Sequence, residues 1–537
     1  MKRSCSWPTW PSPFRIFSPG AKLWLALWLS VTGLGSFSVR AAGLAEHIVV
    51  VVFDGMRPDF ITPQFAPNLY SLATNGVFFK RHHPVYISTT IVNGTALATG
   101  TYPGHSGILA NSDYREELNF QSPVASEVLD TLRRGDMAAK GEYIAVDTLA
   151  ELIQDAGFHT YIAGTKAVTL IHDRSPRKTD TAAHSNSVTL GRGLVLPRAS
   201  LESLNKVNED KAFPDAFTTP NVASDGWTTK ALTKGLWKKG VPKYSLLWLS
   251  DPDVTQHAKS VGAPEALAGI ESSDKHLGEV IKSLKDYGVY EKTDIFVVSD
   301  HGFSSNVRGA EITESLRKAK LNVFTKLENP ERGDVLVVNL GGSTMIYVVD
   351  RDEAAVRKAV EVLQQCDFTG TLFTRLGIEG TFPLSTIHYP MTGHGPDIVI
   401  SLRWFPDLND FGAPGLLMGG SKGTGTHGSL SPFDMHNTLV GSGPDLKRGF
   451  VDTVPSGNID LAPTVLHLLG IPPKSPMDGR VLREALAAET GPAPAVKERR
   501  QAAERTIGLM RWNQYLQTSE VDGAMYYDEG NGSAVQK

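Results

Sequence analysis

The sequence predicts an α/β fold in which a mostly parallel central sheet is flanked by helices on both faces and interrupted by insertions. Runs of apolar, often β-branched residues, typical of strands buried on both faces, occupy residues 47–53, 243–250 and 293–299. Segments with helical periodicity alternate with these runs, as expected when helices connect parallel strands. An aspartate follows each of the three runs directly. Because open α/β sheets bind ligands at the carboxyl ends of their strands, these aspartates are candidate site residues.

The first 41 residues predict a secretory signal peptide. Lys2, Arg3, Arg15 and Lys22 precede the apolar run LWLALWLSVTGLGSFSV, and small residues follow it, so we expect cleavage after Ala41. A retained membrane anchor is the competing interpretation, but the run is short and is interrupted by glycine and serine. We therefore expect an exported protein, periplasmic or secreted, with no stable membrane span after cleavage.

Charge and cysteine content narrow the possible partners and cofactors. The whole chain has a formal net charge of −4. The first 41 residues contain lysine and arginine but no aspartate or glutamate, so the net charge of the mature chain would be more negative still. Nucleic-acid affinity rests on lysine and arginine that neutralise phosphates, so we expect no nucleic-acid binding. Of the two cysteines, Cys5 would leave with the signal and Cys366 would remain. An internal disulfide or a thiolate metal cluster is therefore not expected.

Beyond the signal, the chain predicts one large α/β domain over residues 42–487. Two parts of it are expected to be insertions. One covers about 175–242, which is polar and interrupted and is expected at the surface. The other covers about 304–420, where a strand pair, a helix and a glycine-rich loop elaborate the main sheet. Residues 488–537, charged and rich in proline and alanine before WNQYLQ, are expected to form a C-terminal surface tail. The oligomeric state is left open.

Three consecutive hydroxyl residues, Ser88, Thr89 and Thr90, precede a short predicted helix that ends at Gly100. A hydroxyl at a helix N-terminus is close to free backbone N–H groups and to the positive end of the helix dipole, so it suits contact with a phosphoryl group. Serine and threonine are also favoured N-caps in any helix. Taken alone, this stretch therefore favours ordinary capping over a nucleophile.

Six acidic and imidazole side chains lie at or near the predicted strand ends and in a glycine-rich loop. Each has an ordinary explanation by itself, since aspartate is common in turns and a single histidine is more often a surface residue than a ligand. Together they supply three carboxylates and three imidazoles, a donor set that suits two zinc ions with positions open for substrate. Two such ions can stabilise both the attacking and the leaving oxygen of a displacement at phosphorus. The six residues are Asp54, Asp253, His257, Asp300, His301 and His427.

Six motifs resemble the alkaline phosphatase superfamily, and most closely its nucleotide pyrophosphatase/phosphodiesterase branch. They occur in the family's order and extend over most of residues 47–470, so the resemblance is specific to the superfamily and less specific to substrate. The motifs are FDGMRPDF with Asp54, the Thr-x-x-Asn step from Thr90 to Asn93, TGTYPGHSGILAN ending at Asn111, DPDVTQH with Asp253 and His257, SDHGF with Asp300 and His301, and THG with His427.

The resemblance implies a phosphodiesterase or nucleotide pyrophosphatase-like hydrolase with two Zn²⁺ per chain, acting on a small-molecule phosphate ester through a phospho-threonine intermediate. It implies Thr90 as the nucleophile and Asn111 as a donor to a phosphoryl oxygen. A threonine hydroxyl is a weak nucleophile at neutral pH, so it needs a metal ion to favour its alkoxide. The implied ligands are Asp253, His257 and His427 for one zinc, and Asp54, Asp300, His301 and Thr90 for the other.

Two departures from the family leave the substrate open. In nucleotide-cleaving relatives an aromatic residue follows the nucleophilic threonine and stacks on the base, whereas Ile91 stands here. Lys166 falls near the position where monoesterase and phosphonate-hydrolase relatives carry a lysine that reaches the substrate. Its ammonium would offset the extra charge of a monoester, unless it is only a solvated loop lysine. A phosphomonoesterase or phosphonate hydrolase is therefore the second enzymatic interpretation.

A silent binding domain and a sulfatase are weaker interpretations. A silent domain of the same fold would be expected to have lost a ligand or the nucleophile, and none is missing. A sulfatase is disfavoured because its C/S-x-P-x-R signature is absent at the nucleophile. Within the ligand set, His394 is a rival to His427 as the third histidine of the first zinc, and we favour His427 because the THG loop matches the family.

Overall fold

The strands are numbered here in chain order. The computed structural model describes residues 43–173 and 186–536, and the predicted signal segment lies outside them. The described residues fall within one unit, Ala42–Lys537. Their strands are β1 His47–Phe53, β2 Val77–Phe79, β3 His82–His83, β4 Ser112–Asp113, β5 Val124–Ala125, β6 Thr160–Gly164, β7 Val188–Gly191, β8 Leu194–Leu196, β9 Tyr244–Leu249, β10 Thr293–Val298, β11 Ser304–Asn306, β12 Val323–Phe324, β13 Val335–Asn339, β14 Ser343–Val348, β15 Thr369–Thr374, β16 Phe382–Pro383, β17 Ile398–Leu402, β18 Trp404–Leu408, β19 Pro414–Leu417, β20 Gly425–Thr426, β21 Leu439–Ser442, β22 Phe450–Asp452, β23 Ser456–Gly457, β24 Lys497–Ile507, β25 Met510–Val521 and β26 Ala524–Gln536.

The α-helices of the same residues are likewise numbered in chain order, leaving out short 3-10 and π turns. They are α1 Pro67–Asn75, α2 Thr90–Thr99, α3 Pro103–Ser106, α4 Leu129–Ala138, α5 Leu149–Asp155, α6 Thr169–His172, α7 Leu201–Val207, α8 Val222–Lys230, α9 Asp253–Lys259, α10 Pro264–Asp286, α11 Ile312–Lys318, α12 Glu353–Leu363, α13 Pro432–Met435 and α14 Leu461–Leu469.

A nine-stranded sheet with the order β22-β2-β21-β10-β1-β9-β6-β7-β8 forms the centre of the described chain. β1 lies in its middle and pairs in parallel with both β9 and β10. β6 also pairs in parallel with β9 and β7, whereas β21 and β8 run antiparallel to their neighbours. The predicted α/β class with a mostly parallel sheet is therefore confirmed.

Successive residues of β1 point to opposite faces of this sheet, and each face has its own apolar core. Val50 and Val52 pack in one core with residues of α2, α5 and α14. Val49 and Val51 pack in the other core with residues of α1 and α10. A strand covered by helices on both faces has no solvated side, which explains why every residue of β1 after His47 is apolar and buried.

The predicted insertion at 175–242 contributes more to the main fold than its polar sequence indicates. Its described part supplies β7 and β8 to the edge of the main sheet. Trp227 and Trp237 are buried in the core beside α10. The indole of Trp237 donates a hydrogen bond to the Ser245 hydroxyl on β9 at 2.9 Å, so this region packs directly against a central strand.

Residues 304–420 form a second layer of structure that belongs to the same unit. Most of its strands make a six-stranded sheet with the order β12-β13-β14-β17-β15-β16. Helices α11 and α12 cover this sheet and share an apolar core with it. The region thus adds a second sheet and its two helices to the same unit as the main sheet.

The segment expected to be a surface tail, within 488–537, is instead largely a three-stranded antiparallel sheet, β24-β25-β26. Trp512 and Leu516 are fully buried. The Gln514 side chain hydrogen-bonds both the backbone N–H and the backbone carbonyl of Leu372 on β15, at 2.7 and 3.2 Å. Alternate side chains of β25 are thus buried against the rest of the protein. The neighbouring strand β24 is charged and exposed, so this alternation is hard to recognise in the sequence.

Candidate active site

Three buried carboxylates lie at the carboxyl ends of the three central strands. Asp54 directly follows β1, Asp253 begins α9 just after β9, and Asp300 lies two residues beyond β10. None of the three is more than 3% exposed. Because these strands are parallel neighbours, their ends meet at one edge of the sheet, as the sequence predicts.

Gly55 allows the first two of these strand ends to approach each other. Its φ is +73°, and a Cβ there would lie 3.1 Å from the Cβ of Asp253. A side chain at this position would therefore be both strained and crowded. The Gly55 N–H donates to Asp300 Oδ1 at 3.0 Å, so the same residue also orients the third carboxylate.

Thr90 is the first residue of α2, with Thr89 as the extended N-cap residue before it. The Thr89 side chain makes no capping hydrogen bond, whereas Thr90 Oγ1 lies 3.2 Å from His301 Nε2. The Ser88 hydroxyl donates instead to the Ser429 carbonyl at 3.1 Å. Of the three hydroxyls, Thr90 is thus the one in contact with a predicted site residue, and a capping role does not explain its position. The helix ends at Gly100, as expected.

The three predicted histidine ligands are oriented alike. Nδ1 of His257 hydrogen-bonds the Gly425 carbonyl at 3.1 Å, Nδ1 of His301 bonds that of Gly302 at 2.9 Å, and Nδ1 of His427 bonds that of Ser88 at 2.8 Å. Because a carbonyl oxygen only accepts, each Nδ1 carries the proton and each Nε2 presents a lone pair. This backbone support of one ring nitrogen is the arrangement usual for metal-binding histidines.

These nitrogens and carboxylates form two groups, and Asp253 lies close enough to contribute an oxygen to either. In the first group, Nε2 of His257 and Nε2 of His427 lie 3.2 and 3.4 Å from Asp253 Oδ1. In the second, Nε2 of His301 lies 3.2 Å from Asp300 Oδ2 and 3.7 Å from Asp54 Oδ1. The rings of His301 and His427 stack with their centroids 3.5 Å apart, which places the two groups side by side.

The donor set fits two divalent metal ions. Asp54 Oδ1, Asp253 Oδ1 and Asp300 Oδ2 are buried and have no hydrogen-bond partner among the described residues. Such atoms are costly to bury unless a cation satisfies them. Oxygen and imidazole nitrogen together suit zinc and similar ions. Two of the three-residue groups able to hold a metal ion in the described chain consist of these residues, namely Asp253, His257 and His427, and Asp54, Asp253 and His301.

Lys166 lies inside the site rather than in solvent. Its Nζ is 3.0 Å from Asp54 Oδ2 and 2.5 Å from Asp253 Oδ2. Burial disfavours the ammonium, but Asp253 and Asp54 outweigh this effect and raise the pKa of Lys166 above its usual range. A solvated loop lysine does not fit this placement. The predicted contact with substrate stays a prediction, because the ammonium is engaged by the two carboxylates.

The pKa values of the three carboxylates are shifted in different directions. Burial, together with neighbouring Asp300, holds the pKa of Asp54 well above its usual range, and burial raises the pKa of Asp300 to about 7. Burial acts on Asp253 in the same direction, but the Lys166 ammonium outweighs it and holds the pKa of Asp253 well below its usual range. A divalent cation beside these carboxylates would offset the burial and the mutual repulsion that raise the pKa values of Asp54 and Asp300, and it would favour their ionised forms.

The asparagines of the Thr90 stretch orient the start of α2. Asn111 Oδ1 accepts a hydrogen bond from the Ile91 N–H at 2.9 Å, so its amide oxygen is committed and its NH₂ group remains as the donor. Asn93 bonds both backbone groups of Val85, at 2.7 and 3.1 Å, and fixes the chain that leads into the helix. Ile91 itself is only 3% exposed and packs in the apolar core, so its side chain does not line the site.

Two further residues support the site and were not predicted from the sequence. The Trp248 indole donates to Asp54 Oδ2 at 2.7 Å. Asn458 Nδ2 donates to the Asp300 carbonyl at 2.7 Å and to Asn93 Oδ1 at 2.9 Å. A tryptophan near the end of an apolar strand, whose N–H needs a partner when buried, is a signal that could have been used for Trp248. Nothing in the local sequence distinguishes Asn458.

His394, the rival third histidine, is placed elsewhere. Its Nε2 lies 4.0 Å from Asp113 Oδ2, at the wall of a cavity of about 580 Å³ that also includes Tyr114, Tyr347 and Arg351. The structure brings His427, and not His394, to Asp253 and His257.

A mostly parallel sheet with two adjoining carboxylate–imidazole groups at its strand ends, beside a threonine at a helix N-terminus, defines an alkaline phosphatase-like protein with a candidate two-metal site. The family model described as type I phosphodiesterase / nucleotide pyrophosphatase matches residues 48–398. The chain therefore belongs to this family, which confirms the resemblance found in its motifs.

Several relatives share parts of the chain. Bovine bis(5'-adenosyl)-triphosphatase ENPP4 is 22% identical over 459 residues, covering 84% of this chain and 84% of that protein. An uncharacterized pyrophosphatase/phosphodiesterase of Schizosaccharomyces pombe, C725.05c, is 24% identical over 275 residues, covering 50% and 47%. The structure of an inactive form of murine ENPP5 in complex with AMP has a TM-score of 0.58 and 19% identity and covers 82% of this chain and 100% of that one. At this identity the likeness establishes the fold.

The chain spans about half the length of the fission yeast relative and 28% of the Crotalus durissus collilineatus venom phosphodiesterase CdcPDE, to which it is 24% identical over 280 residues. Within the described residues, no helix combines the length and the apolar character needed to cross a bilayer.

Proposed function

We propose that this protein is a hydrolase of phosphodiester and pyrophosphate bonds that holds two zinc ions and uses Thr90 as its nucleophile. The observation that carries the proposal is the position of Thr90 Oγ1. It lies at the N-terminus of α2, 3.2 Å from His301 Nε2, beside buried carboxylate oxygens that lack partners among the described residues. A hydroxyl that shares a centre with these ligand atoms is placed to be activated by the same cation.

Two ligand sets would hold the ions. When bound, the ions would supply the positive charge that favours the Thr90 alkoxide, offset charge on the leaving oxygen and lower the pKa of a water molecule for the second step. The Lys166 ammonium favours the ionised form of Asp253, which is the form in which a carboxylate would bind a metal ion. One set is Asp253, His257 and His427, and the other is Asp54, Asp300, His301 and Thr90.

The chain's own groups would bind and orient the phosphoryl group. The first turn of α2 places N–H groups and the positive end of the helix dipole beside Thr90. Asn111 would donate from its amide nitrogen to a non-bridging oxygen, since its amide oxygen is held by the Ile91 N–H. Attack by Thr90 Oγ1 on phosphorus would expel the first ester oxygen and leave a phospho-threonine, which water then cleaves.

A nucleotide-derived substrate is supported by the relatives. ENPP4 of cattle is named a bis(5'-adenosyl)-triphosphatase, the related snake venom enzymes are named phosphodiesterases, and the murine ENPP5 structure contains AMP. Ile91 is buried in the core and cannot stack on a base, so base recognition here would need another side chain. We also propose export, on the signal-like residues 1–41, which lie outside the described residues.

A matched pair of isosteric variants tests the nucleophile. Thr90→Val removes the hydroxyl in contact with His301, whereas Thr89→Val removes its neighbour, whose Oγ1 has no partner among the described residues. With zinc-loaded protein and aryl phosphate diesters, monoesters and nucleotide esters, we expect Thr90→Val to lose more than about 10³-fold in kcat. Thr89→Val should stay within about tenfold of wild type. Equal turnover by the two variants would contradict the assignment, and the ranking of the three substrates would identify the substrate class.

A further inference from the structure

Another group of metal-ligating side chains, two of them buried and one half-buried, shares no residue with the catalytic site. His83 is on β3, His436 directly follows α13, and Asp528 is on β26 of the C-terminal sheet. One nitrogen or oxygen atom of each lies within 4.8 Å of the other two. We propose that these three residues, here called the His83 cluster, bind one divalent metal ion of the zinc type that joins the C-terminal sheet to the catalytic fold.

The hydrogen bonds of His83 leave a lone pair facing a carboxylate. Nδ1 of His83 donates to the Ser456 carbonyl at 3.0 Å, which places the proton on Nδ1 and the lone pair on Nε2. Nε2 lies 3.3 Å from Asp528 Oδ1, and it is buried without a hydrogen-bond partner in the described chain. Two acceptor atoms that face each other in a buried site repel unless a cation lies between them.

The spacing suits a tetrahedral ion. Ligand atoms that bind zinc at about 2.0–2.1 Å with tetrahedral angles lie about 3.3 Å apart. The separation of Nε2 of His83 from Asp528 Oδ1 is 3.3 Å. The His436 ring, whose centroid is 4.7 Å from that of His83, supplies a third donor. Two imidazoles and one carboxylate are a common protein set for zinc and leave one position for water.

The surroundings orient the carboxylate and one imidazole of the cluster. Ser519 Oγ donates to Asp528 Oδ2 at 2.7 Å, as residues around a metal ligand commonly do. The Tyr526 ring stacks on His83 at 5.8 Å between centroids.

A proton on His83 is the competing occupant. It would convert the contact with Asp528 into an ordinary ion pair, in a region where Arg81 already lies 3.3 Å from the same carboxylate oxygen. A proton on His83 would bridge His83 and Asp528 and leave the nearby His436 nitrogen without a part in the contact. A metal ion uses all three side chains, and for this reason we favour it.

The position of the cluster gives the ion a structural role. The preceding residue, His82, bonds Asn458 Oδ1 through Nε2 at 2.9 Å, and Asn458 in turn donates to the Asp300 carbonyl in the catalytic site. Two successive residues of β3 therefore contact different parts of the protein. His82 contacts the catalytic scaffold, and His83 contacts the C-terminal sheet. An ion on the His83 cluster would hold β26 against this scaffold.

Anomalous diffraction from zinc-loaded crystals tests the proposal without altering the chain. Data collected on both sides of the zinc absorption edge should show a peak about 2.0–2.2 Å from His83 Nε2, His436 and Asp528. The absence of this peak, whether or not peaks occur at the catalytic ligands, would overturn the proposal. Peaks at the catalytic ligands test the proposed function separately.

Metal content in solution provides a second test. After zinc loading and desalting, His83→Asn and Asp528→Asn should each contain one zinc fewer per chain than the wild type. His276→Asn alters a buried histidine on α10 that belongs to none of the metal-ligating groups of the described residues, and it should retain the wild-type content. Two substitutions are used because either can impair folding, which circular dichroism would reveal. Unchanged zinc content in a folded variant would contradict the site.

Discussion

Removing the indole N–H that holds Asp54 should weaken metal binding without deleting a ligand. Trp248 donates to Asp54 Oδ2 at 2.7 Å in a fully buried site, and Trp248→Phe removes that donor while keeping an aromatic ring. A hydrogen bond to a charged group contributes about 1.5–3 kcal/mol, and every 1.4 kcal/mol is about tenfold in affinity. We therefore expect zinc affinity at the Asp54 ligand set to fall about 10- to 100-fold, the usual loss when the support of a metal ligand is removed.

Competition between the protein and a chromophoric chelator would measure this affinity. Trp237→Phe is the matched control, because Trp237 is also fully buried and donates one hydrogen bond at 2.9 Å, but to Ser245 on the opposite face of the sheet. Both variants lose similar packing, so they should be destabilised alike in urea. If the two variants bound zinc with equal affinity, the supporting role of Trp248 would be refuted.

Three further predictions concern charge and packing. Lys166→Gln should lower the unfolding free energy of the metal-free protein by about 3–5 kcal/mol, because it leaves Asp54 and Asp253 without their ammonium partner. The zinc-loaded protein should lose less, because the ions replace the charge of the ammonium. Equal losses in urea melts with and without chelator would contradict this prediction. Gly94→Ala should lower the unfolding free energy by about 1–3 kcal/mol, because the added Cβ would lie 2.3 Å from Val168 Cγ2. Gly491→Ala, whose Cβ would have nothing within 4 Å, should change it by less than about 0.5 kcal/mol. Similar values for the two variants in denaturant melts would argue against tight packing of α2. Burial, together with a neighbouring aspartate, raises the pKa of Asp294 to about 8. The native state therefore keeps a proton that the unfolded state loses near pH 4. As a result, the unfolding free energy should fall as the pH rises from about 4 to 8. Asp294→Asn should reduce this fall by at least about 1 kcal/mol in urea melts at pH 5 and 8, and an unchanged fall would refute the link.

The central sheet and the carboxylates at its strand ends could be predicted from the sequence because both follow local rules. Strands buried on both faces require unbroken apolar runs, and the carboxyl ends of parallel strands converge, so Asp54 and Asp300 were predicted together from single segments. The order of the motifs then identified the family. From the sequence, Thr90 could be chosen over Ser88 and Thr89 only through the family resemblance. The structure adds a physical reason for that choice, the contact of the Thr90 hydroxyl with His301.

The parts that could not be predicted depend on contacts between distant segments. The packing of β25 against the second sheet depends on alternate residues such as Trp512, and the charged β24 beside it hides this periodicity in the sequence. The support from Trp248 and Asn458 joins segments about 160 to 200 residues apart. The same is true of the His83 cluster, whose ligands lie in three separate stretches. A single sequence carries no signal for such pairings until the fold brings them together.

The stereochemical course at phosphorus tests the central claim, attack by Thr90, most directly. Hydrolysis of a chiral phosphorothioate diester in ¹⁸O-water would yield a thiophosphate monoester whose configuration can be determined. A phospho-threonine intermediate requires two successive displacements, each with inversion, so we predict net retention of configuration. Inversion would show that water attacks the substrate in a single step, and it would contradict the proposal that Thr90 is the nucleophile.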